Sequence, residues 1–170
     1  MSEYIAGLDL GQLNDYTALV ILETGEVQVG TRRVRRFVGS GYRVSSAPET
    51  ERRYRAVHIH RFERGTPYPD IVNAVNDLVA RDKLRGDTDL VVDATGVGRA
   101  VADLFQDTGN ATFKLTITGG ADWTRAGRED RGPKSRLASR AQALVQTRRP
   151  QPSSRGPLTG TPKEGLQRLR

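Results

Sequence analysis

Short apolar segments, followed by segments of helical spacing, set the order of elements in this chain, and that order restricts the fold more than any other feature. Residues 4–10 and 16–23 are apolar runs separated by a short Gly-containing stretch, which predicts an antiparallel hairpin. Residues 55–62 alternate polar and apolar side chains and predict a third, half-exposed strand. Residues 30–53 are rich in Arg, Gly and Ser, and we interpret them as an insertion or long loop.

The second half of the chain alternates helices with strands. Apolar residues at helical spacing predict helices over residues 69–84, 99–106 and 133–147. Buried strands are predicted over residues 88–94 and 112–118. The order β-β-β-α-β-α-β-α predicts an α/β fold with a mixed five-stranded sheet, in which right-handed crossovers make the fourth strand a neighbour of the first. This is the element order of the ribonuclease H-like fold.

The positive charge of the chain is concentrated at its C-terminal end. The net charge is +7, yet residues 1–130 hold 17 Lys and Arg against 19 Asp and Glu, whereas residues 131–170 hold 10 Lys and Arg against one acid, Glu164. The latter segment has five of the 8 prolines and no aromatic residue. We therefore predict one domain over residues 1–147 and a disordered basic tail over residues 148–170 that attracts polyanions.

Composition excludes several classes of protein. With 0 Cys, the chain has no disulfide framework, thiolate zinc site or cysteine nucleophile. Its longest apolar run is far shorter than a membrane-spanning helix, and its N-terminus lacks the charged and apolar regions of a signal peptide. We expect a soluble cytoplasmic protein with no membrane partner.

Two aspartates, Asp9 and Asp93, lie near the carboxyl ends of otherwise apolar strands. If these strands are parallel neighbours, the two carboxylates meet at one edge of the sheet, roughly 5 Å apart. Such acids repel each other unless cations lie between them, and hard oxygen ligands favour Mg²⁺ or Mn²⁺. The pair therefore predicts a divalent metal site suited to phosphodiester hydrolysis. The alternative is that each carboxylate caps the turn that follows its strand.

Four further features have both a structural and a functional interpretation. Residues 96–98 resemble part of a dinucleotide fingerprint but lack its third glycine. His58 and His60 share one strand face, and we predict a solvent-facing pair rather than a metal site. The basic run over residues 32–36 is either a solvated face or a contact to the DNA backbone. Trp123 either stacks on a base or covers the edge of the core.

Five short motifs occur in a fixed order between residue 4 and about residue 140. They are Ile-Ala-Gly-Leu-Asp-Leu-Gly-Gln at residues 5–12, Asp-Tyr-Thr-Ala-Leu at 15–19, Leu-Val-Val-Asp-Ala-Thr-Gly-Val-Gly at 90–98, Ile-Thr-Gly-Gly at 117–120 and Pro-Lys at 133–134. Together they resemble the nuclease domain of phage large terminase subunits. That domain has a ribonuclease H-like fold and uses divalent metal to cut concatemeric DNA during genome packaging.

The resemblance implies a metal-dependent endonuclease domain that acts on double-stranded DNA in the cytoplasm of the host cell. It implies that Asp9 and Asp93 are the first two catalytic, metal-binding acids, with Mg²⁺ or Mn²⁺ as cofactor, and leaves the role of Asp15 open. The implied protein partners are the terminase motor and the portal. We assign contacts with DNA to the basic residues after the fifth strand, which are Arg125, Arg128, Arg131 and Lys134.

The chain departs from the family pattern in two respects. It has no phosphate-binding loop of an ATP-hydrolysing motor, so it corresponds at most to the nuclease half. The family's third acid has no clear counterpart, since Glu164 is the one acid after Asp130. The remaining candidates are Asp122, Glu129 and Asp130, which we expect in a loop. We hypothesise that the chain is truncated or frame-shifted, and therefore impaired.

Two other classes of function stay open. A non-catalytic nucleic-acid-binding remnant would use the basic tail and would bind DNA without metal and without cleavage. A fragment of an actin-like ATPase or sugar kinase would use Gly-Leu-Asp-Leu-Gly at residues 7–11 as a phosphate-binding hairpin. Enzymes of that class need two similar lobes, and this chain has room for one.

Overall fold

The computed structural model describes residues 3–12, 15–146 and 150–152, where it shows an α/β fold with one mixed sheet and three helices. The strands are β1 (Tyr4–Asp9), β2 (Ala18–Val38), β3 (Gly41–Arg61), β4 (Thr88–Asp93), β5 (Phe113–Thr118), β6 (Thr124–Ala126), β7 (Glu129–Pro133) and the short β8 (Pro150–Pro152). The helices are α1 (Tyr68–Val79), α2 (Gly98–Asp107) and α3 (Lys134–Gln146).

The strand order across the sheet is β6-β7-β5-β4-β1-β2-β3-β8. β1 pairs antiparallel with β2 and parallel with β4, so the predicted hairpin and the predicted neighbourhood of the first and fourth strands are confirmed. β5 is parallel to both β4 and β7. The four parallel strands β1, β4, β5 and β7 therefore end at the same edge of the sheet, which we call the carboxyl edge.

Helices α1 and α2 cover one face of the sheet. Ala6 and Leu8 of β1 are buried on this face, whereas alternation along the strands places Asp9 and Asp93 on the other face. The remaining buried apolar residues of this core are Leu19, Ile21, Phe62, Leu84, Leu90 and Val92 from the strands and turns, and Ile71, Val72, Val75, Leu78, Val101, Ala102 and Phe105 from the helices. The acids of the carboxyl edge consequently lie outside this core.

Strands β2 and β3 continue far beyond the rest of the sheet. β1 accompanies β2 only as far as Glu23, which pairs with Tyr4, whereas β2 and β3 remain paired up to Val38 and Gly41. We call residues 24–53 the β-arm. Because it continues past the first residue of β1, the β-arm leaves the sheet at the edge opposite the carboxyl edge.

The prediction of an insertion or long loop over residues 30–53 is therefore wrong. The segment has one tight turn, Gly39-Ser40, with Gly39 at φ 62°, and this turn closes a hairpin of two long strands. The other small residues lie within the strands, where a register shift between Gln28 and Gly30 takes up the extra residue.

The predicted count of five strands is also wrong. The structure adds the short β8 and also β6 and β7, which form a short hairpin whose turn contains Gly127 at φ 59°. Glu129 and Asp130 thus belong to a strand and not to a loop. The predicted helix over residues 69–84 ends at Val79, while the other predicted helices and strands after it agree with the structure to within a residue or so.

Most of the predicted tail, residues 148–170, lies outside the described residues. The part that is described, β8, pairs in parallel with Tyr54–Ala56 of β3. Among the described residues there is no helix that is both long and apolar enough to cross a membrane.

Candidate active site

Asp9 and Asp93 lie side by side at the carboxyl edge. Leu8 of β1 pairs with Val92 of β4, so the two aspartates are the next residues along adjacent parallel strands. Neighbouring strands are about 4.8 Å apart, and both side chains lie on the face that α1 and α2 leave free. The structure therefore brings together the two acids that the sequence singled out.

The electrostatic environment of Asp9 is acidic. Asp9 is exposed to solvent, yet partial desolvation raises its pKa, and the negative charges of Asp93 and Asp15 raise this pKa further. Asp15 lies in the loop between β1 and β2, which thus brings a third carboxylate toward the pair. An ionised group surrounded in this way gains free energy from a nearby cation.

The loop between β1 and β2 is held in place by hydrogen bonds around Gly11. The amide of Gly11 donates to Thr17 Oγ1 over 3.1 Å, and the Tyr68 hydroxyl of α1 donates to the Gly11 carbonyl over 3.1 Å. A Cβ at Gly11 would lie 2.3 Å from the carbonyl oxygen of Asp15. Glycine at this position therefore allows the loop to fold back and carry Asp15 toward the edge.

Asp93 also caps the turn that follows its strand. Its Oδ1 accepts a hydrogen bond of 2.9 Å from the amide of Thr95, and Thr95 Oγ1 accepts one of 3.1 Å from the amide of Ile117 in β5. Asp93 thus caps the turn, as the alternative interpretation predicted, but the cap uses only one of its two carboxylate oxygens. The second oxygen is compatible with a further ligand.

The two glycines of residues 96–98 are explained by close packing. Gly96 has φ 62°, and a Cβ there would lie 2.9 Å from Gln12 Nε2. A Cβ at Gly98 would lie 1.7 Å from the Asp93 carbonyl oxygen, so the start of α2 sits directly on the end of β4. The likeness to a dinucleotide fingerprint therefore has a structural cause.

A cationic and aromatic cluster at the carboxyl edge was missed by the sequence analysis. The guanidinium carbons of Arg61 and Arg64 lie 4.2 and 4.5 Å from the ring centroid of Tyr16. Tyr16 follows Asp15, and Arg61 pairs with Ala18, the cross-strand partner of Asp9. The predicted antiparallel meander could have indicated this cluster. In a meander the third strand ends at the same edge as the first, which places Arg61 near Asp9.

The four basic residues assigned to DNA are not brought to one surface. Lys134 begins α3 at the carboxyl edge and is exposed. Arg128 precedes β7 at the opposite edge, where it donates to the Ala111 carbonyl over 3.2 Å and lies over the ring of Phe113. Arg131 pairs with Thr116, which by alternation points to the face of α1 and α2.

Arg125, the fourth of these residues, is held by Asp130. Its Nε and Nη2 donate to the two carboxylate oxygens over 2.6 and 2.8 Å. These bonds, together with one from Trp123, lower the pKa of Asp130. The Trp123 ring occupies the space that a Cβ of Gly132 would need. It therefore packs against β7 and covers this edge of the sheet.

A basic cleft lies between this hairpin and α3. Its volume is about 530 Å³, and it is lined by Trp123, Arg125, Arg136, Leu137 and Arg140. Arg136 and Arg140 are further cations that the sequence analysis did not assign. Their spacing of four residues on one helix is the signal that would have found them.

The candidates for a third acid occupy different positions. Asp130 lies in the same cross-strand row as Asp93, with Leu115 between them, which places the two strands about 10 Å apart. Asp122 is exposed in the loop after β5, at the carboxyl edge, and Glu129 begins β7 at the other edge. Glu164 lies outside the described residues. Within the described part of the chain, no three acids or histidines come together as a metal-binding group.

The prediction that His58 and His60 face solvent is wrong. They pair with the buried residues Ile21 and Leu19 and are themselves half-buried. Burial lowers the pKa of both imidazoles. The His60 ring makes an edge-to-face contact with Phe62 at 4.6 Å, so this pair belongs to the border of the core.

Comparison with protein-family models, with curated protein sequences and with solved structures finds no match for this chain.

Proposed function

We propose that this chain is a ribonuclease H-like, metal-dependent DNA endonuclease domain of the kind found in phage DNA-packaging terminases. The proposal is carried by one observation, the adjacency of Asp9 and Asp93 at the ends of two parallel strands. Asp15 lies close enough to raise the pKa of Asp9. Its natural substrate would be double-stranded DNA, and its partners the motor and portal proteins of a packaging machine.

The topology supports the choice of fold family. The strand order β5-β4-β1-β2-β3, with β1 antiparallel to β2 and parallel to β4, is the arrangement expected for the ribonuclease H-like element order. The β6-β7 hairpin and the short β8 are additions at its two sides, and the β-arm is an extension of β2 and β3. The paired acids lie at the carboxyl edge, where open α/β sheets commonly place their ligands.

The donor atoms at this edge fit a divalent cation by chemical type. Carboxylate oxygens of Asp9 and Asp93 are hard ligands, and their mutual repulsion favours a cation between them. A divalent cation bound there would activate a water molecule and stabilise charge on the phosphate. Two aspartates with Asp15 nearby are a sparse donor set, so we expect Mn²⁺ to be preferred over Mg²⁺, which demands near-ideal octahedral geometry.

The chain's own cations would hold the substrate at this edge. Arg61 and Arg64 are fixed against the Tyr16 ring beside Asp15, and Lys134 is exposed at the end of β7. Guanidinium groups bind phosphate oxygens in a bidentate manner, and contacts of this kind carry no sequence information. Cleavage is therefore expected to be independent of DNA sequence.

Metal binding tests the central observation. Asp9→Asn and Asp93→Asn should each weaken the binding of Mn²⁺ in calorimetry, because each removes a charged oxygen ligand. Asp82→Asn, which removes an exposed acid from the turn after α1, is the matched control and should leave the affinity unchanged. Unchanged affinity in both site variants would show that the pair is structural and would end the proposal.

Cleavage tests the activity. We expect weak nicking of supercoiled plasmid with Mn²⁺, less or none with Mg²⁺, and none in Asp9→Asn, which also controls for contaminating nuclease. Robust Mg²⁺-dependent cutting would show that a third ligand is present after all. Asp122→Asn and Asp130→Asn would then show which acid is the third ligand, since only loss of the true ligand abolishes cutting. Asp122 lies at the carboxyl edge, whereas Asp130 is already bound to Arg125.

A non-catalytic nucleic-acid-binding protein is the second candidate. It is favoured by the finding that, over residues 3–12, 15–146 and 150–152, no three ligating side chains converge. DNA binding that is unaffected by EDTA and by Asp9→Asn, without any cleavage, would support this candidate over an endonuclease.

A further inference from the structure

The outer half of the β-arm carries positive charge with no acid to balance it. Residues 31–47 contain Arg32, Arg33, Arg35, Arg36 and Arg43 and no Asp or Glu. The inner half differs, because Glu26 pairs directly with Arg52 and the acids Glu49 and Glu51 lie on the facing strand. The inner half is therefore close to neutral, while the outer half has five uncompensated cations.

Two of these cations face each other. Arg36 and Arg43 are direct cross-strand partners, so their side chains project from the same face of the hairpin. Like charges in this position destabilise a β-hairpin. Such an arrangement is relieved when an anion lies between or above the two guanidinium groups.

The arginines occupy both faces of the outer half. Arg33 and Arg35 lie on the same face as Phe37. Arg32 lies on the other face, together with Arg36 and Arg43. A ribbon with cations on both faces is suited to a cleft whose two walls are negative.

The tip presents two aromatic side chains to solvent. Phe37 and Tyr42 are 63% and 62% exposed and contact each other edge to face, with centroids 5.2 Å apart. The Arg35 guanidinium carbon lies 4.2 Å from the centroid of Tyr42. The two rings and the guanidinium group thus form one contiguous exposed patch, and an apolar patch rimmed by charged groups is typical of an interaction site.

We propose that the β-arm is a nucleic-acid-binding ribbon whose outer half enters the major groove of duplex DNA. The major groove of B-form DNA is about 12 Å wide, admits a two-stranded ribbon and has phosphates along both walls. The arginines of the two faces contact those phosphates, and Phe37 and Tyr42 reach the base edges. The choice of DNA as the polyanion rests on the proposed function. Binding through a two-stranded ribbon is inferred from the β-arm alone.

B-form DNA fits this surface better than duplex RNA. The major groove of A-form RNA is deep and too narrow for protein elements to enter. The proposal therefore requires that a DNA duplex bind more tightly than an RNA duplex of the same sequence.

The test is the salt dependence of DNA binding by Arg36→Gln/Arg43→Gln, measured by fluorescence anisotropy on a labelled duplex in EDTA. Each lost phosphate contact lowers the slope of log affinity against log salt by about 0.9, so the double variant should have a slope about 2 smaller than the wild type. The substitutions remove a like-charge pair, so the variant should fold at least as well as the wild type. Weaker binding would then have no origin in misfolding.

Lys83→Gln/Arg85→Gln is the matched control, since it removes two exposed cations after α1. We expect it to keep the wild-type slope. An equal slope for the β-arm variant and the wild type overturns the proposal, and so does a duplex RNA that binds as tightly as the DNA.

A second variant removes the outer half altogether. Residues 31–48 are replaced by Asn-Gly, so that the cross-strand partners Gly30 and Glu49 flank a two-residue turn. We expect the same unfolding temperature as the wild type and a large loss of metal-free DNA binding. Wild-type DNA affinity in this variant overturns the proposal.

Failure of this inference is distinguishable from failure of the proposed endonuclease. All binding is measured without metal, and Asp9→Asn should bind duplex DNA as the wild type does or more tightly, because an acid is lost. Loss of binding in the β-arm variants without any nicking by the wild type supports the β-arm and contradicts the nuclease. Nicking by the wild type with unchanged binding by the β-arm variants gives the reverse conclusion.

Discussion

The Asp9 carboxylate is ionised at a cost in this fold. Because partial desolvation and two neighbouring acids raise its pKa, the folded protein binds a proton at Asp9 more tightly than the unfolded chain does. Above the raised pKa the ionised group reduces the free energy of unfolding, and this cost disappears as the pH falls through that pKa. Sites that bind cations often accept such a cost in the free protein.

Asp9→Asn is therefore expected to stabilise the metal-free protein. We expect a small rise in Tm at about pH 7, because Asp9 is exposed and solvent screens the repulsion, and a smaller rise at about pH 4, because the wild-type carboxyl group takes up a proton as the pH falls. Thermal unfolding in EDTA at both pH values measures this, with Asp82→Asn as control. A variant less stable than the wild type at neutral pH would mean that Asp9 is a cap and not a repelled acid.

Gly98 is the residue on which the contact between β4 and α2 depends. Gly98→Ala places a Cβ 1.7 Å from the Asp93 carbonyl oxygen, and backbone must move to accept it. We expect a loss of about 2 kcal/mol or more, which lowers Tm by roughly 5–10 °C. Gly25→Ala is the control, since a Cβ at Gly25 meets no atom within 4 Å. Equal unfolding temperatures for the two variants would contradict this seating of α2.

His60 makes stability depend on pH. Its folded-state pKa lies below the unfolded value of about 6.5, so the unfolded chain takes up the proton first as the pH falls, and stability is lost below that value. Among the described residues, its buried Nε2 has no hydrogen-bond partner. His60→Leu should therefore raise Tm relative to the wild type, and more at about pH 5.5 than at about pH 8. A constant difference across this range would show that His60 is not buried as a neutral ring.

At the scale of elements, sequence predicted those segments that bury one face. β1, β4, α1 and α2 each have a recognisable apolar pattern because each contributes residues to the core described above. The β-arm has no such pattern, since arginines and apolar residues lie on both of its exposed faces. The β6-β7 hairpin was missed for a related reason, because β6 has three exposed residues and no buried side.

The β-arm should also be the least protected part of the sheet. The amide of Thr24 donates to the Glu3 carbonyl over 2.7 Å, and beyond this residue the two strands of the β-arm pair with each other. Two-stranded hairpins are of marginal stability in water. In hydrogen exchange we expect amides of the β-arm to exchange much faster than those of β1 and β4. Equal protection would indicate that the β-arm packs against a surface in solution.

The candidate site was predictable in part. Asp9 and Asp93 were found because a charge within an apolar strand needs a partner, and the crossover rule placed their strands together. The burial of His58 and His60 was missed because alternation within one strand does not show what covers each face, and their position depends on pairing with Ile21 and Leu19. Cross-strand neighbours of this kind depend on register, which periodicity within one strand does not give.

At the scale of the whole molecule, the core residues that the structure describes all lie before the C-terminal segment. Each of the buried apolar residues that form the core precedes α3. Deleting residues 153–170 should therefore change Tm by less than about 2 °C, and should reduce the salt-sensitive part of DNA binding through the loss of basic residues. A fall of several degrees would show that this segment joins the core.

The two ends of the β2-β3 hairpin set a length. Ala18 pairs with Asp9 at the carboxyl edge, and Phe37 lies at the far tip. At about 3.3 Å per residue the distance between them is at most about 65 Å, which corresponds to roughly 19 base pairs of B-form DNA. A duplex that contacts both the tip and the carboxyl edge would be nicked at a fixed distance from the base pairs that the tip protects. The length of the hairpin would then set the distance between the nick and the protected base pairs. Shortening the hairpin by pairs of residues would reduce this distance in equal steps.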